Sequence, residues 1–151
     1  MAGAIGLLVV VSLVGRGDSS TDTANETVVK RVKHDNRHDP WMKHVTRWDS
    51  DSDITVETDY PSHRKSSWLA AYEICSAVKR AYAKGADELP DVTVSGIETH
   101  VSTRVDGSKH RRTKTVPLAT SSKRHDFVCG ILPPEDDREA ARKLDIPVYL
   151  Y

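Results

Sequence analysis

Between Ile54 and Tyr60 the chain alternates apolar and polar positions without a break. Ile54, Val56, Thr58 and Tyr60 fall on one side; Thr55, Glu57 and Asp59 fall on the other. This period of two marks a half-buried strand. Residues 44–48 read as its partner strand, and the turn Asp49, Ser50, Asp51, Ser52, Asp53 joins the two into a hairpin that Pro61 ends. The period then changes. From Ser66 to Lys84, the residues Trp68, Ala71, Tyr72, Cys75, Val78 and Tyr82 recur at helical spacing, which predicts the main helix. Ser66 or Ser67 would cap its start and Gly85 its end.

A second hairpin follows. Val92 and Val94 open a strand, Ile97, Val101 and Val105 continue it in the opposite phase, and Gly96 marks the bulge that shifts the phase. Asp106 and Gly107 predict a two-residue turn. The return strand, 108–118, offers nothing apolar to a core before Val116 and Leu118, so the hairpin tip is expected to be exposed. Phe127, Val128 and Cys129 form a short strand or packed loop. Pro134 opens a short helix with Glu135, Asp136 and Asp137 in its first turn and Ala140, Ala141 and Leu144 on its buried side. Residues 146–151 read as a last strand that Pro147 confines to an edge. The order β-β-α-β-β, then a short helix and a possible strand, predicts an α+β fold. Its form is a two-layer sandwich of an antiparallel or mixed sheet with one main helix and a short C-terminal helix.

The first 40 residues follow another pattern. Met1 to Val14 carry no charged side chain, a length that suits a signal-peptide core and is short for a spanning helix. No Lys or Arg precedes the run, and Arg16, Lys30, Arg31 and Lys33 follow it, which by the positive-inside rule argues against translocating the rest. An apolar start has little other use, so export is favoured over a buried N-terminal strand or helix. The expected organisation is a signal or membrane-anchor segment at 1–15, a polar linker at 16–40 with room for a short helix near 26–34, and a single α+β domain at 41–151. The domain would be secreted, or held outside the cytoplasm through membrane contact by residues 2–14.

Composition narrows the partners. Lys plus Arg and Asp plus Glu each number 22, so the chain is neutral overall, which disfavours a general nucleic-acid or anionic-membrane binder but leaves room for a local basic face. The two cysteines, Cys75 and Cys129, lack the close spacing of a redox pair and the further ligands of a zinc site. They form either one disulfide, whose 54-residue loop closure is worth about 4 kcal/mol in the chain-entropy model, or two free buried thiols.

Three short stretches carry a resemblance: Val56 to Tyr60 with its Thr-Asp pair, Ile74 to Val78 with Ile-Cys and Ala-Val, and Val92 to Val94, followed by a late second cysteine. Across residues 54–129 the chain resembles small exported or membrane-anchored actinobacterial proteins of unknown function with one cysteine pair. The resemblance implies a tethered or secreted domain with one disulfide, and it implies no reaction.

Several groups could carry chemistry. Lys109, Arg111, Arg112 and Lys114, with Lys123, Arg124 and His125 downstream, form the best binding surface, joined by Trp48 and Tyr60 as contact residues. Such a ribbon would meet an anionic cell-envelope polymer or lipid headgroups. Nucleic acid is disfavoured because no aromatic residues interleave with the cations. The plain reading is a solvated edge that discourages strand-to-strand aggregation. His34 and His38 stand four apart, and Asp49, Asp51 and Asp53 alternate as at the start of a calcium loop. They are weak metal candidates, since Pro40 disfavours a helix there and Ile54 and Tyr60 occupy the Gly and Glu positions of an EF-hand. Arg16-Gly-Asp18 matches an integrin tripeptide and Asn25 begins a glycosylation sequon. No phosphate loop, nucleophile elbow or metalloprotease motif is present, so no catalytic residue and no cofactor is expected. The leading reading is an exported, non-catalytic binding or structural domain. The alternatives are a small metal-assisted hydrolase outside the cytoplasm and a membrane-held nucleic-acid-binding protein.

Overall fold

A computed structural model describes residues 19–82 and 89–150. The expected segment 1–15, the Arg16-Gly-Asp18 tripeptide and the Gly85 cap lie outside the described residues. The fold is α+β, with five strands in one mixed sheet whose spatial order equals their chain order. The strands are β1 (Val45–Asp49), β2 (Ile54–Pro61), β3 (Val92–Thr103), β4 (Lys109–Ser121) and β5 (Gly130–Ile131). β2 and β3 run parallel and the other neighbours antiparallel. The parallel pair follows from the helix between them, since a strand–helix–strand unit returns in the same direction.

That helix, α2 (Lys65–Tyr82), buries Trp68, Ala71, Cys75, Val78 and Tyr82 of the predicted stripe and leaves Tyr72 half-buried, while Ile74, Ala77 and Ala81 widen it. It begins at Lys65, one residue before the two serines expected to cap it. The sheet answers with Ile54, Val56, Val92, Val94, Ala119 and Ile131, all essentially without solvent contact. Their register is shared across strands: Ile54 opposes Val92, Val56 opposes Val94, and Ala119 opposes both Val94 and Ile131. Trp41, in a 3-10 turn at Pro40–His44, closes one end of this core.

The stretch expected as a polar linker departs from that expectation. Residues 19–35 form a full helix, α1 (Ser19–Asp35), which packs on α2. Val28, Val29 and Val32 are buried, and so is Asn25. Three valines and one amide on an otherwise charged helix are enough to seat it because the amide is fully used. Asn25 Nδ2 donates to the carbonyls of Asp51 and Ser52 at 3.1 and 3.2 Å, and Asn25 Oδ1 accepts from the Tyr82 hydroxyl. Burial pushes the Tyr82 phenol up to about 12. The Asn25 sequon is thus turned inward, its amide committed to holding the β1–β2 turn against both helices. Asn25→Ala is expected to lower stability by about 1–3 kcal/mol, because it strands two carbonyls and a buried phenol. Urea denaturation would measure it.

The C-terminal region is shorter in regular structure than its sequence pattern. A 3-10 turn at Glu135–Asp137 leads into α3 (Arg138–Arg142), where Ala141 is buried but Ala140 faces solvent. The strand expected at 146–151 reduces to one parallel bridge between Val148 and Ile131, flanked by hydrogen bonds from Ile131 N to Pro147 O and from Tyr149 N to Ile131 O. Cys75 and Cys129 are joined as a disulfide with Cα atoms 6.1 Å apart, linking the middle of α2 to the loop before β5.

Candidate functional site

The β3–β4 hairpin outgrows the sheet. β2 last pairs with β3 at Pro61 and Ile97, and β5 pairs only with Ala119 and Thr120 of β4. From Glu98 to Thr103, paired with Lys114 back to Lys109, the two strands run on alone for six residue pairs, about 20 Å at the usual strand rise. Ion pairs and turn geometry hold this ribbon where no core can.

At its root, Glu98 Oε2 takes Lys114 Nζ at 2.6 Å and His100 Nε2 at 3.2 Å. The hydrogen bond from Lys114, reinforced by His100, holds the Glu98 carboxyl below its ordinary value. At the tip, the turn differs from the two-residue form that Asp106-Gly107 predicts. Gly107 N bonds Arg104 O at 2.9 Å and Arg104 N bonds Ser108 O at 2.8 Å, so Val105, Asp106 and Gly107 make a three-residue loop with Gly107 at φ 83°. Asp106 Oδ1 accepts from the Ser108 hydroxyl and amide, which lowers its pKa and pulls the register one residue further out.

Register then sorts the cations. Strand alternation puts His100 and Ser102 of β3 with Lys114, Arg112 and His110 of β4 on one face, because His100 opposes Arg112 and Ser102 opposes His110. With Arg104 they line a concavity of about 560 Å³. Arg111 and Lys109 oppose Val101 and Thr103 on the reverse face. The pair Arg111 and Arg112, adjacent in sequence, is therefore split between faces. Residues 98–114 hold five Lys or Arg against Glu98 and Asp106, a net charge of +3 in a neutral chain. Among the described residues, Arg104, Lys109, Arg111 and Arg112 enter no ion pair, whereas Lys114 is held by Glu98.

A smaller cleft, about 190 Å³, opens at the ribbon root between Ser62, Glu98, Val116, Pro117, Leu132, Pro133, Pro134, Arg138 and Tyr149. The exposed His63 links Glu98 of its lining to Asp137, with Nδ1 3.3 Å from Asp137 and Nε2 3.7 Å from Glu98. The Ser62 hydroxyl and Arg138 Nε, both buried, lack hydrogen-bond partners. This cluster was invisible in the sequence, where His63 and Asp137 stand 74 residues apart.

No protein-family model, curated protein or solved structure matches the chain. The reading of the site therefore rests on its own geometry.

The remaining candidates separate. Trp48, on the edge strand β1, pairs with Val56 and is half-buried, with Lys33 Nζ 5.6 Å above its ring. Tyr60 is half-buried against His44, ring centres 4.5 Å apart, and burial, with Asp59 and Glu73, raises its pKa. Neither joins the ribbon. Lys123, Arg124 and His125 form a 3-10 turn beyond Ser121, at the opposite end of β4 from the tip, so they extend no common patch. There Lys123 N bonds Asp91 and His125 stacks on Tyr149 at 3.7 Å.

His34 bonds Asp35 at the end of α1, and His38 lies in the turn beyond it. Asp49 takes Arg47 and, within the β1–β2 turn, Asp51 N, while Asp53 accepts from Asp91 N just before β3. Among the described residues, no three His, Cys, Asp or Glu side chains converge as a metal site, and no helix is long and apolar enough to cross a membrane.

Proposed function

We propose that the protein is a non-catalytic binding domain that presents the β3–β4 ribbon to a polyanion outside the cytoplasm. One observation carries this reading: four cations without ion-pair partners stand on a two-stranded arm that the core does not need. An arm of this kind is marginal as structure alone. A solvated protective edge would need charge but no particular face. Here Arg104 and Arg112 share a concave face with His100, His110 and Lys114, which suits the multidentate grip of phosphate or sulfate groups. The disulfide is compatible with an extracellular location.

The test uses the full chain and inorganic polyphosphate at increasing salt. Affinity is expected to fall steeply with ionic strength. Arg112→Ala is expected to weaken binding roughly five- to tenfold and Arg111→Ala clearly less, since only Arg112 lines the concave face. The double variant should keep the wild-type melting temperature, because exposed charges contribute little to stability. Salt-insensitive or absent binding by the wild type would overturn the proposal, as would unfolding of the double variant.

A further inference from the structure

The loop that ends the ribbon exposes a valine. Val105 is fully exposed at the start of the three-residue loop, next to Asp106, and Val101, opposite Arg111 in the third strand pair from the tip, is 56% exposed. A single exposed valine is ordinary on a protein surface. Its placement here is not: Val105 sits at the far end of an arm about 20 Å long, with Arg104 beside it, Lys109 in the last strand pair, and Arg111 and Arg112 two and three pairs behind that. A soluble polyanion gives such a valine nothing to contact. A bilayer does, because an apolar tip enters the headgroup boundary while a collar of cations stays at the level of the anionic groups.

We infer that the partner of the ribbon is the surface of an anionic lipid bilayer, into which the tip inserts Val105. The inference rests on the polyanion reading above and adds to it the identity of the surface. Charge complementarity supports it, since each cation close to an anionic leaflet strengthens attachment about fivefold.

The experiment places an environment-sensitive nitrobenzoxadiazole label on the full chain through Val105→Cys. A control carries it through Arg124→Cys, beyond the opposite end of β4. Vesicles of phosphatidylcholine with 30% phosphatidylglycerol are expected to shift the position-105 emission to the blue and raise it several-fold. Pure phosphatidylcholine vesicles and polyphosphate should not, and the control label should stay in water. In unlabelled protein, Val105→Ser should weaken binding to the anionic vesicles roughly tenfold, the scale of one apolar side chain leaving the interface, and leave polyphosphate binding unchanged. An unmoved position-105 label, or equal loss of both affinities, overturns the bilayer assignment. If polyphosphate still binds in a salt-sensitive way, the polyanion reading survives that failure. If neither probe binds, both readings fall.

Discussion

Alkylation of the native protein without reduction is expected to modify neither cysteine, and Cys129→Ala is expected to lower the unfolding free energy by about 2–5 kcal/mol. The bridge closes a 54-residue separation between α2 and the approach to β5. The loop it closes contains β3 and β4, with the ribbon between them, so without it the unfolded chain gains freedom across half the sheet. The folded side of the balance also suffers. Cys75 has no solvent contact and Cys129 almost none, so each reduced sulfur would have to repack within a filled core. Chemical denaturation of both forms, alongside mass spectrometry of the alkylated protein, measures the effect. Free alkylation of both cysteines would remove the bridge, and with it the main support for a domain that works outside the cytoplasm.

Gly96→Ala should be nearly as damaging, at about 2–3 kcal/mol. A Cβ at this position would lie 2.4 Å from the carbonyl oxygen of Tyr60 and 2.5 Å from Leu118 Cδ1. The leucine side chain can rotate, but the carbonyl belongs to β2, and moving it pulls β2 from β3 where the register already shifts. Gly107→Ala is the useful comparison. Nothing lies within 4 Å of a Cβ there, and only the positive φ is strained, so about 1 kcal/mol is expected. Equal small losses at both glycines would show that β2 and β3 do not approach as closely as described.

How much of this could be read from the chain depends on where each interaction lies in sequence. The alternation of 54–60 and the stripe of α2 encode their own partners, because every buried position repeats within one element. The bulge expected at Gly96 lies instead on β4, where Leu118 is the extra residue opposite Val94 and Ser95 and Gly96 pairs in register with Val116, because the phase of one strand does not show which partner carries the extra residue; the exposed hairpin end is legible from its lack of apolar residues. The sequence supports no more than a short helix near 26–34 within a polar linker where α1 spans Ser19–Asp35, because three valines among charged residues carry a weak period. What seats it is Asn25, which bonds residues 26 and 57 positions away. Asp106-Gly107 predicts a two-residue turn, but the loop at 105–107 is one residue longer because the Asp106 carboxylate, through Ser108, competes with the turn that Asp-Gly favours. The two-faced charge on the ribbon needed the register, which places Arg112 opposite His100 and Arg111 opposite Val101. The cleft at the ribbon root needed the whole fold, since His63, Glu98 and Asp137 come from three separate regions.

A sheet whose spatial order equals its chain order has a consequence for its assembly. No strand has to slide between two strands already in place, so each can add to the free edge left by the one before. Only the step from β2 to β3 waits on a long crossover; the other joins are local and fast. A chain delivered unfolded, N-terminus first, could zip up in the order in which it emerges. Cys129 arrives after β4, with its partner already fixed on α2. The disulfide is then a latch on a nearly finished sheet, not a guide to building it.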